Sequence, residues 1–165
     1  MIGRVAVAGV AFAFVSGALA ADSATFTARS LTPEAALKAA QAALAKCRAE
    51  GFQATVAVVE RSGVTQALLR DRHAAPHTVD TAQRKAQTAI NFKMHTAALD
   101  RELQPGKASA GIRNLPGVAA MAGGMVIEGH GSLVGAIGVS GAPGPTNDDV
   151  CAAAGIAAIA EDLEF

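Results

Sequence analysis

The chain has 165 residues, of which 51% are hydrophobic, 17% charged and only 4% aromatic, and its formal net charge is +0 at pH 7. That length fits one hydrophobic core, so a single domain is expected. The balance argues against nucleic-acid binding, which draws on a surplus of cations and on aromatic stacking platforms.

The first twenty residues read as a leader. After Arg4 the run from Val5 to Val15 is apolar or glycine throughout, and Ala18 and Ala20 precede Ala21-Asp22. A basic start, a short apolar stretch and small residues before the junction predict a signal peptide over residues 1–20, cleaved after Ala20. The stretch is shorter than the ~20 residues of a spanning helix. Its loss removes one cation and no acid, moving the formal charge to −1, and leaves Phe26, Phe52, Phe92 and Phe165 as the aromatic residues. Nothing later in the chain is apolar enough to span a bilayer. A periplasmic or secreted protein, free of the membrane after cleavage, is therefore expected. Cys47 and Cys151 have no C-x-x-C spacing, and an even pair in an exported chain favours a disulfide over two buried thiols.

Residues 21–31 read as a polar N-terminal arm and 32–165 as the domain. Thr32-Pro33-Glu34 supplies a capping hydroxyl, proline at the first helical position and an acid facing the dipole, predicting a helix to about Glu50 that stops at Gly51. Leu37, Ala40, Leu44 and Cys47 form its apolar stripe. Thr55–Val59 and Val64–Leu69 flank Arg61-Ser62-Gly63 as a hairpin. Thr78 is placed to cap a helix to about Lys93, with Ala82, Ala86, Ala89 and Ile90 on its buried side and Arg84 and Lys85 turned partly away. A short helix over Thr96–Leu103 follows, with a kink near Met94-His95.

Most glycines fall between Gly111 and Gly155. There we expect a short strand near Val118–Met121, then a hairpin of Gly124–Glu128 and Leu133–Ser140 around Gly129-His130-Gly131-Ser132. Glycines inside such strands mark bulges or close approach by another backbone. Asn147 or Thr146 then caps a last helix, with Asp148 and Asp149 in its first turn and Cys151, Ala154 and Ala158 on one face. The order is α-β-β-α-α-β-β-β-α. Hairpins cannot make parallel crossovers, so this is an α+β domain: an antiparallel sheet flanked by helices, of the profilin or PAS-like kind that can leave a small-molecule cavity.

No nucleophile elbow, phosphate loop, His-Glu-x-x-His or cysteine-rich metal site is present. His73 and His77, in DRHAAPHTVD, bracket the loop into the second helix, and Pro76 keeps them off one helical turn. Either imidazole can ligate iron when neutral; the plain alternative is that His77 supports the helix start and His73 is solvated. Arg84, Lys85 and Arg113 are cations able to meet ligand carboxylates, or else solvated surface. Met121, Met125 and Ile127 are candidates to line an apolar crevice. Glu60 and Glu128 read equally well as ordinary strand-end carboxylates.

The stretches PHTVDTAQRKAQTAINF, NLPGVAAMAGGMVIEGHGSLVGAIGVSG and NDDVCAAAGIAAIAEDL resemble the GlcG/HbpS-like haem-binding family over about Leu31 to Leu163. Arg84-Lys85-Ala86 and Thr88-Ala89 match its second-helix motif, and Gly135 to Gly141 its glycine strand. The chain departs from many relatives at Ala74-Ala75, where they carry Asp-Gly, and at Met125, where they carry proline. The resemblance implies a PAS/profilin-type domain that assembles as a homo-oligomer, with haem as cofactor and His77 as the iron contact; from the residues themselves, His73, Arg84, Lys85, Arg113 and Met125 are expected around it. The expected function is an exported haem or tetrapyrrole-binding protein, a sensor or carrier. Two alternatives stand beside it: a small lyase, isomerase or hydrolase using the same cavity, and an oligomeric accessory protein of an exported oxidoreductase or transport system.

Overall fold

A computed structural model describes residues 24–164; the leader lies outside them. Thr32 caps α1 (Pro33–Ala49), its hydroxyl accepting from the Ala35 amide at 3.2 Å, and Gly51 takes a positive φ after the helix ends. The hairpin strands are β1 (Thr55–Glu60) and β2 (Thr65–Arg70). Next come α2 (Thr78–Phe92) and α3 (Thr96–Glu102), a 3-10 turn over Ala110–Asn114, β3 (Gly124–Gly129), β4 (Ser132–Ser140), α4 (Pro145–Ala157) and a last 3-10 turn over Glu161–Leu163. The sheet order is β2-β1-β4-β3, antiparallel at every pairing. The molecule is α+β, as the hairpins require.

The sheet has four strands, not five. The expected strand near Val118–Met121 does not form because other partners take its backbone groups. The Ala119 amide donates to Thr88 Oγ1, the Met121 amide to Ala119 O, and Met121 O accepts from Thr96 Oγ1. Of the arm, residues 24–30 are exposed, and Leu31 is buried with its amide on Val134 O at 3.0 Å. The helix after Phe92 breaks rather than kinks, since Lys93 adopts a left-handed conformation.

Helices cover both faces of the sheet. On one, Ile137 and Val139 of β4 and Val56 and Val58 of β1 pack with Ala39, Ala40, Ala43 and Leu44 of α1, Ala152 of α4 and Ile159 just beyond it. The α1 stripe keeps the expected Ala40, Leu44 and Cys47 and adds Ala36, Ala39 and Ala43, while Leu37 is exposed. On α4 the buried positions among the described side chains are Asp148, Cys151, Ala152 and Gly155, with Ile159 buried just beyond the helix and Ala154 and Ala158 half-buried. Small residues let α1 and α4 approach closely, and Cys47 is bonded to Cys151, with Cα atoms 5.4 Å apart. On the other face Ala136 packs with Ala86, Ala89 and Ile90 of α2. Gly138 is needed there: a Cβ would lie 2.0 Å from Ala82 O and 2.6 Å from the Ala86 nitrogen.

Candidate functional site

Where α2, the end of β4 and the start of α4 meet, they leave a cleft of about 570 Å³ lined by His77, Thr81, Lys85, Met121, Ala142 and Asp148 among others. The position of Thr78 explains its lip. Thr78 was expected as the cap of α2 but is its first residue; its hydroxyl donates to Ala75 O and lies 2.7 Å from the buried Thr55 hydroxyl. His77 therefore takes the cap position, exposed, with its imidazole making no capping bond. His77, Thr81 and Lys85 follow at i, i+4 and i+8, one row up the same side of the helix.

Lys85 is the largest departure from expectation. It is buried instead of turned towards solvent, and its Nζ donates to Val139 O at 2.9 Å and to Asp148 Oδ2 at 2.8 Å. Asp148, on the first turn of α4, also accepts the Ala142 amide on Oδ1 at 3.0 Å. Burial pushes its carboxyl above the ordinary range, and Lys85 pulls the other way. Gly123, at φ +111°, makes room for the pair: a Cβ there would lie 2.8 Å from both Lys85 Nζ and Asp148 Cβ. The Gly123 amide donates to Asp149 Oδ1 at 2.6 Å, fixing the loop against α4. The end of α4 that faces the cleft also differs from expectation. The helix opens at Gly144-Pro145, and Asn147, instead of capping it, donates from Nδ2 to Pro143 O.

The structure brings His77, Lys85 and Met121 together and leaves the other candidates elsewhere. His73 is exposed in the β2–α2 loop, outside the lining. Arg84 pairs with Asp80 at 2.7 Å and borders a separate depression with Pro116 and Gly117. Arg113 is tied to Asp100 Oδ1 at 2.7 Å and to Leu103 O. Met125 packs against the α1/α4 core, and Ile127 is fully buried within that core, so neither lines the crevice. Asp148 was overlooked as a site residue because an acid at a helix start is explained by the dipole alone. A signal for Lys85 was present: it falls three residues after Ala82 and four before Ala89, on the buried stripe.

Among the described residues no group of His, Cys, Asp and Glu is arranged to hold a metal ion, and no helix is long and apolar enough to cross a membrane. The sequence profile described as haem degrading protein HbpS-like matches residues 31–157. The chain belongs to the HbpS-like family. Solved structures agree with that membership. HbpS of Streptomyces reticuli, as a double mutant, is 38% identical with a TM-score of 0.76, over 86% of this chain and 96% of that one. A PduOC:haem complex is 27% identical with a TM-score of 0.75, over 79% and 95%. A 15.0 kDa Citrobacter freundii protein from the dhaT-dhaS intergenic region is 31% identical over 113 residues, 67% of this chain and 80% of that relative. This HbpS-like chain thus carries its family's fold across nearly the whole described domain.

Proposed function

We propose that this HbpS-like protein is an exported haem-binding protein, a sensor or carrier of haem, and that the cleft beside His77 is where it binds. The observation that carries the reading is His77 itself. Its ring stands exposed at the lip of a cleft of suitable size, free of any capping bond, in a family whose PduOC relative is a haem complex. The residues present fit the group. His77 offers an imidazole to iron, and Met121, Ala122 and Ala142 offer uncharged wall to a macrocycle. When bound, haem would supply the redox and ligand-binding chemistry of its iron; the chain's own part is to hold the ring at His77 and shield one edge of it from water. Export is supported by the Cys47–Cys151 disulfide, a bond that persists in oxidising compartments, and by the leader-like first twenty residues. Assembly into a homo-oligomer belongs to the same reading.

Titrating haemin into the purified protein is expected to give a saturable, shifted Soret band, and His77→Ala to lose that shift and weaken binding. An unshifted, non-saturating spectrum in the wild type overturns the haem reading. An unchanged band and affinity in His77→Ala overturns only the histidine assignment.

A further inference from the structure

Beneath the lip the cleft has a floor, built around a buried ammonium group. Lys85 keeps 4% of its side chain exposed and lines the cleft. Its Nζ carries three donors, of which Val139 O and Asp148 Oδ2 take two. Asp148 is committed on both oxygens, one to Lys85 and one to the Ala142 amide. What the floor has left for a ligand is therefore a donor.

The electrostatics point the same way. Two helices begin at this cleft, α2 at His77 and α4 after Gly144, and each brings the positive end of its dipole. The other first-turn acids are drawn off: Asp80 pairs with Arg84, and Asp149 accepts the Gly123 amide. Among the described lining residues the titratable groups are His77, Lys85 and Asp148.

We propose that the floor of the cleft is a carboxylate-recognition site, in which Lys85 Nζ gives its remaining N–H to a carboxylate oxygen of the ligand and Asp148 acts as a positioning residue that holds the ammonium in place. His77 and Lys85 are eight residues apart on α2, about 12 Å along the helix, so the carboxylate sits away from the atom that His77 meets. The inference rests on the haem reading only for the source of that carboxylate: a propionate arm of the porphyrin, or else a small organic acid in the same place.

The test uses haemin, haemin dimethyl ester and free propionate on the intact protein. Haemin is expected to bind at least about tenfold more tightly than its dimethyl ester, the worth of one charge-assisted hydrogen bond. The preference should vanish in the double variant Lys85→Met/Asp148→Asn, which removes both charges together; a thermal melt checks that it folds. Because the ester comparison is made in the wild type, it stands even if the variant does not fold. Equal binding of haemin and its ester overturns the carboxylate floor and leaves haem binding intact. A preference that persists in the folded double variant overturns the assignment to Lys85. Saturable binding of propionate with no binding of either porphyrin overturns the haem reading and supports the floor as a site for small organic acids. Binding of none of the three overturns both.

Discussion

Against one face of the sheet, α1, α4 and the turn that follows it bring alanines, Leu44 and Ile159 and close over the Cys47–Cys151 bond. Against the other, α2 and α3 bring polar groups that are buried and individually paired: Thr78 with Thr55, Thr88 with the Ala119 amide, Thr96 with Met121 O and the Gly124 amide, and Lys85 with Asp148. Apolar contact has no direction, so the first face packs its interior closely, and the depression of about 480 Å³ on that side lies at its edge, beside Leu31, Ala35, Val134 and Leu163. Hydrogen bonds fix loops at set distances, so the second face can keep the 119–123 and 140–144 segments apart without collapse. The His77 cleft lies along this second face, between segments held by directional bonds.

The largest break in this contrast is expected from Gly138→Ala. One methyl group on the α2 face would press on the backbone of Ala82 and Ala86, which cannot move without moving the helix. We expect a loss of about 5 kcal/mol, at the diagnostic end of single substitutions, seen as a collapse of the urea midpoint. Next in size is Lys85→Met alone, at about 4 kcal/mol, because it leaves Asp148 buried without its cation. Adding Asp148→Asn should restore most of that loss; failure to restore it would mean that the pair holds the fold through its charges and not through its shape. Third is the disulfide. It closes a separation of 104 residues, and Cys47→Ala/Cys151→Ala should cost about 3 kcal/mol by chemical denaturation. Ligand binding in that variant should be unchanged, since neither Cys47 nor Cys151 lines the cleft; a matching loss of binding would show that the bond also holds the cleft end of α4 in place.

The apolar face was the more legible in the sequence. Helical spacing, the Thr32-Pro33 start and the two cysteines located α1, α4 and their bond, and of the expected α1 stripe only Leu37 came out exposed, because alanines at 36, 39 and 43, which carry little hydrophobic signal, take the buried side. The hairpins were legible for the same reason: β-branched runs around glycine turns have few other solutions. On the polar face, residue type misled. Lys85 reads as solvated because lysine usually is, and only a partner 63 residues away on α4 makes its burial tolerable. The Val118–Met121 segment has strand-like residues, but a threonine on α2 takes the amide that a neighbouring strand would have needed. His77 stands out in the sequence through a familiar motif, and its place at the lip follows from Thr78 turning its hydroxyl to Ala75 O and Thr55, contacts no local pattern encodes.

The smallest expected effect concerns the end of the sheet, where directional bonds act near the surface. Burial raises the Glu60 carboxyl, but hydrogen bonds from the Ser62 hydroxyl and amide, the Ser30 hydroxyl and the Val64 amide outweigh it and bring the group to about 2. A carboxyl lowered on folding stabilises the protein above its unfolded value of about 4.5, and that contribution fades as pH falls towards about 2. Glu60→Gln should therefore cost about 1 kcal/mol at neutral pH, the net worth of an ordinary hydrogen bond, with the gap between wild type and variant closing over that acid window in a series of thermal melts. Because Ser30 belongs to the arm that leads to Leu31, the variant should also speed proteolysis before α1. A gap that stays constant through the acid window would mean that Glu60 contributes by its shape and not by its charge, as the side chains of the α1/α4 face do.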